Sequence, residues 1–514
     1  MGDANKTKLR YIQEATFSLD PGGAYATGVA TFTGTGTAAD TITVNSVVYT
    51  LQNTLAAARD VKIGATAAAT AQNFADAINA SQSTLGTAFF GATTRNVDVI
   101  ASVNGAAVTL TARLHGTVGN SLPLAKASTA VTLSGLSSGS TGNLTGGAAG
   151  FYTAATELRF NSSGLRHNKV TVQSEEIRAD RVVQDLVKVG ISGSGDTTHE
   201  LHYGDLQPFI AAAMQGPVVS LSDSGTWGVT TGGVYTKTTG LLAGMSGGKL
   251  IKVSGFVNAV NNGIKRVIAQ SGNTFTVVNL DGSAFVAESG VSAIVSVNYV
   301  RQGATYSSFI IEQEDVEAAT VIALLGCAVD TMTLTLESRA KAMIQFGWLA
   351  YGAITPTRTD TVANAINAPS SNPIYNTTAN VGNLLINGAK PPSLFRRWTM
   401  ALKNNLRERP AIAREGTIQH GSGLAEITGA METYFTEKST LDAFLQHVAQ
   451  SVELTMIDTG GRYINVFYPS VQFSSGSPSV QGINTDVMLP LEYQAKRGTG
   501  PDGSTFQAQI DMMA

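Results

Sequence analysis

Few residues in this chain could do chemistry, and each candidate fails on spacing. Gly135-Leu-Ser-Ser-Gly139 and Gly244-Met-Ser-Gly-Gly248 match the pattern that raises a serine nucleophile on a sharp strand-to-helix turn. Neither follows a buried strand and opens a helix, which that geometry requires. His199 and His202 stand three apart in a segment read as a strand, where a period of two sends them to opposite faces and denies them a shared metal ion. His115, His167, His420 and His447 are scattered. Asp180 and Asp185 lie near Glu175 and Glu176, but no separated carboxylate or sugar-stacking aromatic cluster accompanies them. Gly190-Ile-Ser-Gly-Ser-Gly195 lacks the Lys-Ser/Thr pair of a phosphate loop and reads as a strand that another backbone approaches closely. The expectation is a chain without catalytic, metal-binding or cofactor-binding residues, and not an enzyme.

Composition points the same way. With 514 residues the chain exceeds one core, and three or four domains are expected. Charged residues make up only 14 % and glycine numbers 54, a mix that suits many short strands joined by tight turns. The net charge of -3 offers no electrostatic grip on nucleic acid, which takes a cationic surface. The single cysteine, Cys327, excludes a disulfide framework and sits in an apolar run as a small buried hydrophobe. No segment approaches the roughly 18 apolar residues of a membrane-spanning helix. The polar start Met1–Arg10 lacks a secretion core, and Lys6 breaks the myristoylation pattern. These features predict a soluble protein made in a cytosol.

The elements that must position any function come as a repeat. Gly193–Tyr203 leads into Asp205–Met214, and Gly423–Thr436 leads into Ser439–Val448; both read as strand, polar cap and short amphipathic helix. A repeated structural unit points to assembly by repetition. After an N-terminal segment, 1–20, residues 21–149 are rich in Ala, Thr and Gly. They read as a self-contained α+β module with a hairpin at 41–50, a helix at 70–79, strands at 97–103 and 107–112, and a flexible exit linker at 133–150. A second insert, 219–298, alternates at 249–254 and 273–278 around the Asn261-Asn-Gly263 turn and reads as a small β-barrel or sandwich. The segments 150–218 with 299–365, and then 366–514, carry the two repeated units. The fold expected is mainly β: β-sandwich or β-barrel domains with short flanking helices, two repeated domains and two inserted modules.

The repeated segments carry a resemblance. Thr156–Phe160, Val172–Leu186 and Gly190–Asp196, then Leu402–Ile412 with the Gly-rich strand and Tyr434-Phe435 after it, resemble the tail tube proteins of long-tailed bacteriophages. The resemblance covers about 151–218 and 299–514, with the small module between them. It implies paired β-sheets with a flanking helix. It also implies subunits that close into rings, and rings that stack into a hollow tube through which double-stranded DNA passes transiently, without specific binding. The implied location is the virion tail, after synthesis in the host cytoplasm. The implied partners are further copies of the chain, the tape measure protein, and the tail terminator and tip proteins, with no membrane.

Physical reasoning sharpens those implications. Long alternating strands with bare edges aggregate unless paired, and ring closure removes the edges. Two tube units per chain predict a trimeric ring with pseudo-sixfold symmetry; a hexamer with one half outside is the alternative. Stacking top face to bottom face makes an open filament. Charged runs in the two halves are candidates for inter-subunit arms through Glu175, Glu176, Arg178 and Arg181, and through Lys403, Arg407 and Arg409. A lumen that lets DNA slide is neutral or acidic, and Asp196, Glu200, Glu426 and Glu432 are candidates to line it. A second function from a different class is carbohydrate or host-surface binding through the 21–149 module, although its small side chains offer few groups to recognise sugar.

Overall fold

The computed structural model describes residues 7–14, 17, 25–115, 117–147, 154–174, 185–238, 245–316, 320–353, 365–391, 394–436, 438–480 and 482–514. The protein is mainly β. It divides into two compact units: Met1–Leu158 with Ile310–Leu325 and Ala353–Ala368, and Arg159–Phe309 with Gly326–Gly352 and Pro369–Ala514.

In the first unit the strand Thr7–Gln13 pairs antiparallel with Ala155–Leu158 (Leu9 opposite Leu158) and also with Phe309–Asp315. Arg10 is buried there and ion-pairs with Glu314, Glu312 and Glu157. Such a cation is tolerated inside because carboxylates surround it. Residues 25–145 leave and return between these two adjacent strands, and they own a separate core. That core lies among a four-stranded sheet, a five-stranded sheet and the helix Ala67–Asn79. Thr66 caps the helix by accepting from the Ala69 amide, and Ala80 ends it in the left-handed region. Spacing places Phe74, Ala77 and Ile78 on the inner face, where Phe74 meets the rings of Phe32 and Tyr49 at 5.9 and 5.6 Å. The expected linker at 133–150 is corrected. Val131–Ser134 and Gly142–Asn143 are strands, and Leu133, Leu136 and Leu144 are buried in this core; three leucines at these positions outweigh the Ser/Gly composition around them. Residues 148–150 lie outside the described residues.

The second unit contains the small insert as a closed six-stranded barrel. Val218–Val229, Val234–Lys237, Thr274–Asn279, Gly263–Ser271, Leu250–Ser254 and Glu288–Arg301 pair in that order, and the last pairs back to the first. Trp227, Tyr235 and Phe275 are fully buried in it among further apolar side chains, so its interior is a packed core. The Glu288 carboxylate fastens the 256–262 loop by accepting from the backbone amides of Val257 and Asn258 and the side-chain amides of Asn258 and Asn261.

A continuous antiparallel sheet makes the rest of this unit. Its strands run in the order Arg166–Gln173, Leu186–Glu200, Met343–Ala350, Thr320–Glu337 (from Gly326 on), Phe395–Lys403, Glu426–Tyr434, Met488–Ala495, Tyr463–Gly476, Gln450–Ile457 and Val381–Ile386. The C-terminal strand Gln509–Met513 joins Tyr463–Gly476 to the barrel strand Glu288–Arg301. Asp511 on it is fully buried. It accepts from the backbone amides of Lys249 and Leu250 at 2.9 and 3.3 Å and from Gln509 Nε2 at 2.9 Å. Burial raises its carboxyl to about 6.

The sheet repeats itself. Gly195 lies opposite Trp348, which lies opposite Val329; Gly429 lies opposite Tyr493, which lies opposite Phe473. The next register in both ladders is shifted by a bulge, at Val329/Thr331 and at Phe473/Ser475. Each second strand leads to a short helix, Gln207–Met214 or Ser439–Leu445. The first helix inserts Phe209 among Phe309, Phe346 and Trp348 at 5.1, 5.5 and 5.0 Å. Glycine is required at Gly195, where φ is +146° and a Cβ would meet Gly164 O at 2.2 Å, and at Gly429, where a Cβ would meet Thr399 O at 2.2 Å.

Candidate functional site

One face of the continuous sheet is polar. It is built by alternation: in Thr331-Met-Thr-Leu-Thr-Leu336 the even-numbered apolar residues are buried and the threonines are not. The pairing registers carry this face unbroken from one half to the other. Asp196, Gly347, Thr331, Lys403 and Glu426 form one row across five strands. Thr198, Gln345, Thr333, Ala401, Thr428 and Gln494 form the next. Glu200, Met343, Thr335, Thr399, Ala430 and Glu492 form the third. Glu337, Arg397, Glu432 and Pro490 form the fourth. The opposite face holds Phe346, Trp348, Leu334, Met400, Trp398, Met431 and Tyr493, all buried.

The charge on these four rows is acidic. Asp196, Glu200, Glu337, Glu426, Glu432 and Glu492 outnumber Lys403 and Arg397. Glu200 ion-pairs with Lys341 at 2.6 Å, and that hydrogen bond holds its carboxyl below the ordinary range. Glu432 lies 3.8 Å from Arg396. Between the acids stand threonines, small residues and amides. Such a surface holds water and repels phosphate.

Asp196, Glu200, Glu426 and Glu432 therefore share one face of one sheet. Lys403, considered with the arm residues in the sequence, stands instead in the row between Asp196 and Glu426. Arg407 and Arg409 are exposed in the 404–425 loop, held by paired backbone hydrogen bonds between Arg407 and Gly421 at 2.9 and 2.8 Å and by the Arg409 amide donating to Thr417 Oγ1. This loop reaches the other half through Lys188 and Glu415 at 2.9 Å, and the Ile191 amide donates to Glu415 O at 2.7 Å. Glu175, Glu176, Arg178 and Arg181 lie outside the described residues. Sequence reasoning missed Arg397, Glu337 and Glu492, whose membership in this face depends on cross-strand register.

The decoy motifs sit in structural places. His199 is buried, with Nδ1 2.8 Å from Arg159 O and Nε2 3.0 Å from Thr197 Oγ1; burial lowers it to about 4, leaving it neutral near pH 7. His202 is corrected in one respect. It lies beyond the strand, which ends at Glu200, and its buried ring is 3.5 Å from Asp205. His420 is buried beside Tyr306 Oη at 3.0 Å and is likewise lowered to about 4 by burial. The side chain of His115 lies outside the described residues. Gly135–Gly139 forms a tight turn in the inserted module, and Met245–Gly247 is a single 3-10 turn. Among the described residues no group of three or more His, Cys, Asp or Glu is arranged to hold a metal ion.

No curated protein matches the chain. A family model described as phage tail tube protein matches residues 124–495, which take in the barrel and all but the last strand of the continuous sheet. That match spans most of the sequence. The chain belongs to the phage tail tube protein family.

Proposed function

We propose that three copies of this chain close into a ring, that rings stack into the tail tube, and that the Asp196–Glu426 face lines a bore through which DNA travels from capsid to host. The observation that carries this reading is the single face, acidic and threonine-rich, that runs without a break through both halves. Each half contributes four strands to the wall. Three chains would supply about 24 strands, which at about 4.8 Å spacing and a tilt near 40° close on a backbone circle roughly 45–50 Å across. Side chains narrow that to roughly 35 Å, room for a hydrated duplex. An acidic wall without cationic clusters would release no counterions from DNA and would not hold it.

Stacking in this proposal uses the hairpin of Arg166–Gln173 and Leu186–Glu200. Val170, Val172, Leu186, Val187 and Val189 are all exposed there, on the approach to 175–184. Exposed apolar side chains on a hairpin favour a protein contact. Glu175, Glu176, Arg178 and Arg181, which fall between its two strands in the sequence, with Arg407 and Arg409 on the 404–425 loop, would select the neighbour by charge. The module at 21–149 and the barrel at 219–298 would decorate the outer wall, and the tape measure, terminator and tip proteins would meet the tube at its bore and ends. Negative-stain microscopy of the concentrated protein tests the proposal. Long hollow rods are expected; a dispersed monomer at every concentration would reject it.

A further inference from the structure

The six-stranded barrel holds a pair of opposite charges inside it. Asp223 alternates along its strand with Gly225 and Trp227, and Lys237 alternates with Tyr235, so both charged side chains point the way of the two buried rings. Asp223 stands opposite Val295, which stands opposite Val253, and both valines belong to the barrel's apolar core. The side chains of Asp223 and Lys237 are 7 % and 8 % exposed, and Lys237 Nζ lies 2.5 Å from each carboxylate oxygen. Gly225 leaves room for the approach. The ladder sets Trp227 opposite Lys237, and a Cβ at 225 would stand 2.7 Å from Lys237 Cε, on the path the lysine stem takes to Asp223.

The pair is poorly furnished as an ion pair. A buried charge is tolerated where its remaining protons and lone pairs find partners. Other charges of the barrel meet that condition. Lys265 Nζ donates to Val260 O and Asn262 O at 2.8 and 2.6 Å. The Arg301 guanidinium donates to Asp502, Ser504, Gln509 and the Gly247 carbonyl. The Glu288 carboxylate accepts from the amides of Val257, Asn258 and Asn261. By contrast, among the described residues Asp223 accepts from Lys237 alone, and Lys237 Nζ, with three protons to place, donates to Asp223 alone. An amide joining the two would carry neither charge and leave one donor and one acceptor.

We propose that Lys237 and Asp223 condense into an intramolecular amide that staples the first two strands of the barrel. The ammonium passes a proton to the carboxylate, leaving an amine and an acid. Nζ attacks Cγ and the N–C bond forms. The C–O bond to the acid hydroxyl breaks, and the hydroxyl leaves as water with a second proton from the nitrogen. One ammonium and one carboxylate become one amide and one water, with no oxidant, reductant or activating group. Groups held in contact reach effective concentrations of about 10⁵–10⁸ M, which drives a condensation that separate molecules in water do not make. Burial then keeps water from the product. Each chain reacts once, on itself, so the pair is a modification site and not a turnover centre. A cross-link between residues 14 apart restrains the unfolded chain as a disulfide does, in a sequence whose one cysteine cannot form an intrachain disulfide.

The bond forms within one chain whether or not rings form, so digestion and mass spectrometry of the purified protein test it separately from the tube. No lysine or arginine lies between Lys188 and Lys237, and the next is Lys249. Trypsin does not cut after an acylated lysine. Folded wild-type protein, stored and then denatured and digested, should yield the peptide Val189–Lys249, one water lighter than its sequence and without backbone fragments between 223 and 237. Lys237→Arg keeps the charge and the cleavage site but lacks the amine, and should release the peptide 189–237 at full mass. Asp223→Ala should restore cleavage after Lys237. Wild-type peptide Val189–Lys237 at full mass would overturn the proposal, even if neither variant folds. So would a water loss that survives in Lys237→Arg, which marks dehydration of the aspartate onto its own backbone.

Discussion

Replacing Asp511 with Asn tests how the C-terminal strand is held between the barrel and the continuous sheet. Asp511 is buried, and among the described residues no cation pairs with its carboxylate; its partners are amides of Lys249, Leu250 and Gln509, with Asn465 Nδ2 at 3.4 Å. Desolvation is the largest influence and raises the carboxyl from 3.8 to about 6. The native state thus binds a proton that the unfolded chain has released. The sign follows: stability from this group is fully present below the unfolded value and is lost as pH rises through about 6. The difference between 3.8 and about 6 corresponds to about 3 kcal/mol. Glu453, raised by the same cause, titrates in wild type and variant alike and cancels from their difference. Asn keeps an oxygen acceptor but cannot ionise. Urea unfolding, followed by the fluorescence of Trp227, Trp348 and Trp398, should show the variant gaining about 3 kcal/mol on wild type between about pH 4 and about pH 8. A difference that stays flat with pH, or moves the other way, refutes the reasoning.

Three further outcomes are expected. Trp348→Ala removes a buried ring packed edge-on against Phe209 and Phe309 and takes one of its two partners from Thr197 Oγ1, which keeps His199; it should cost about 3–5 kcal/mol in denaturant unfolding. Asp196→Lys combined with Glu426→Lys should leave tubes intact but make them retain double-stranded DNA, with retention falling steeply as salt rises in a filter-binding assay; unchanged, salt-independent behaviour would remove these residues from the bore. An isolated 21–149 fragment should unfold as one cooperative transition in calorimetry, because its core draws only on its own residues; a fragment without a transition would contradict that.

What the sequence disclosed follows its periodicities. The helix at Ala67–Asn79, the Thr41–Val44 and Val47–Gln52 hairpin with Asn45 in the left-handed region, and the strand-then-helix repeat were all legible, because each is coded within about a dozen neighbouring residues. The packed 131–145 segment was not, since composition at Gly135–Gly146 speaks for a linker and only distant partners give Leu136 and Leu144 something to bury against. The polar face was half legible. Alternation in 331–336 announces two unlike sides, yet which charges share a side with Asp196 depends on bulges at Val329/Thr331 and Phe473/Ser475. A one-residue slip inverts a strand, so Lys403 and Arg397 joined that face only once register was known.

A helical reconstruction of the assembled tube tests the central claim most directly. The account predicts three chains per ring, with Asp196, Thr331, Lys403 and Glu426 facing the bore and Trp348 and Tyr493 behind them. Six chains per ring, or a bore lined by any other surface with this row turned outward, would contradict it.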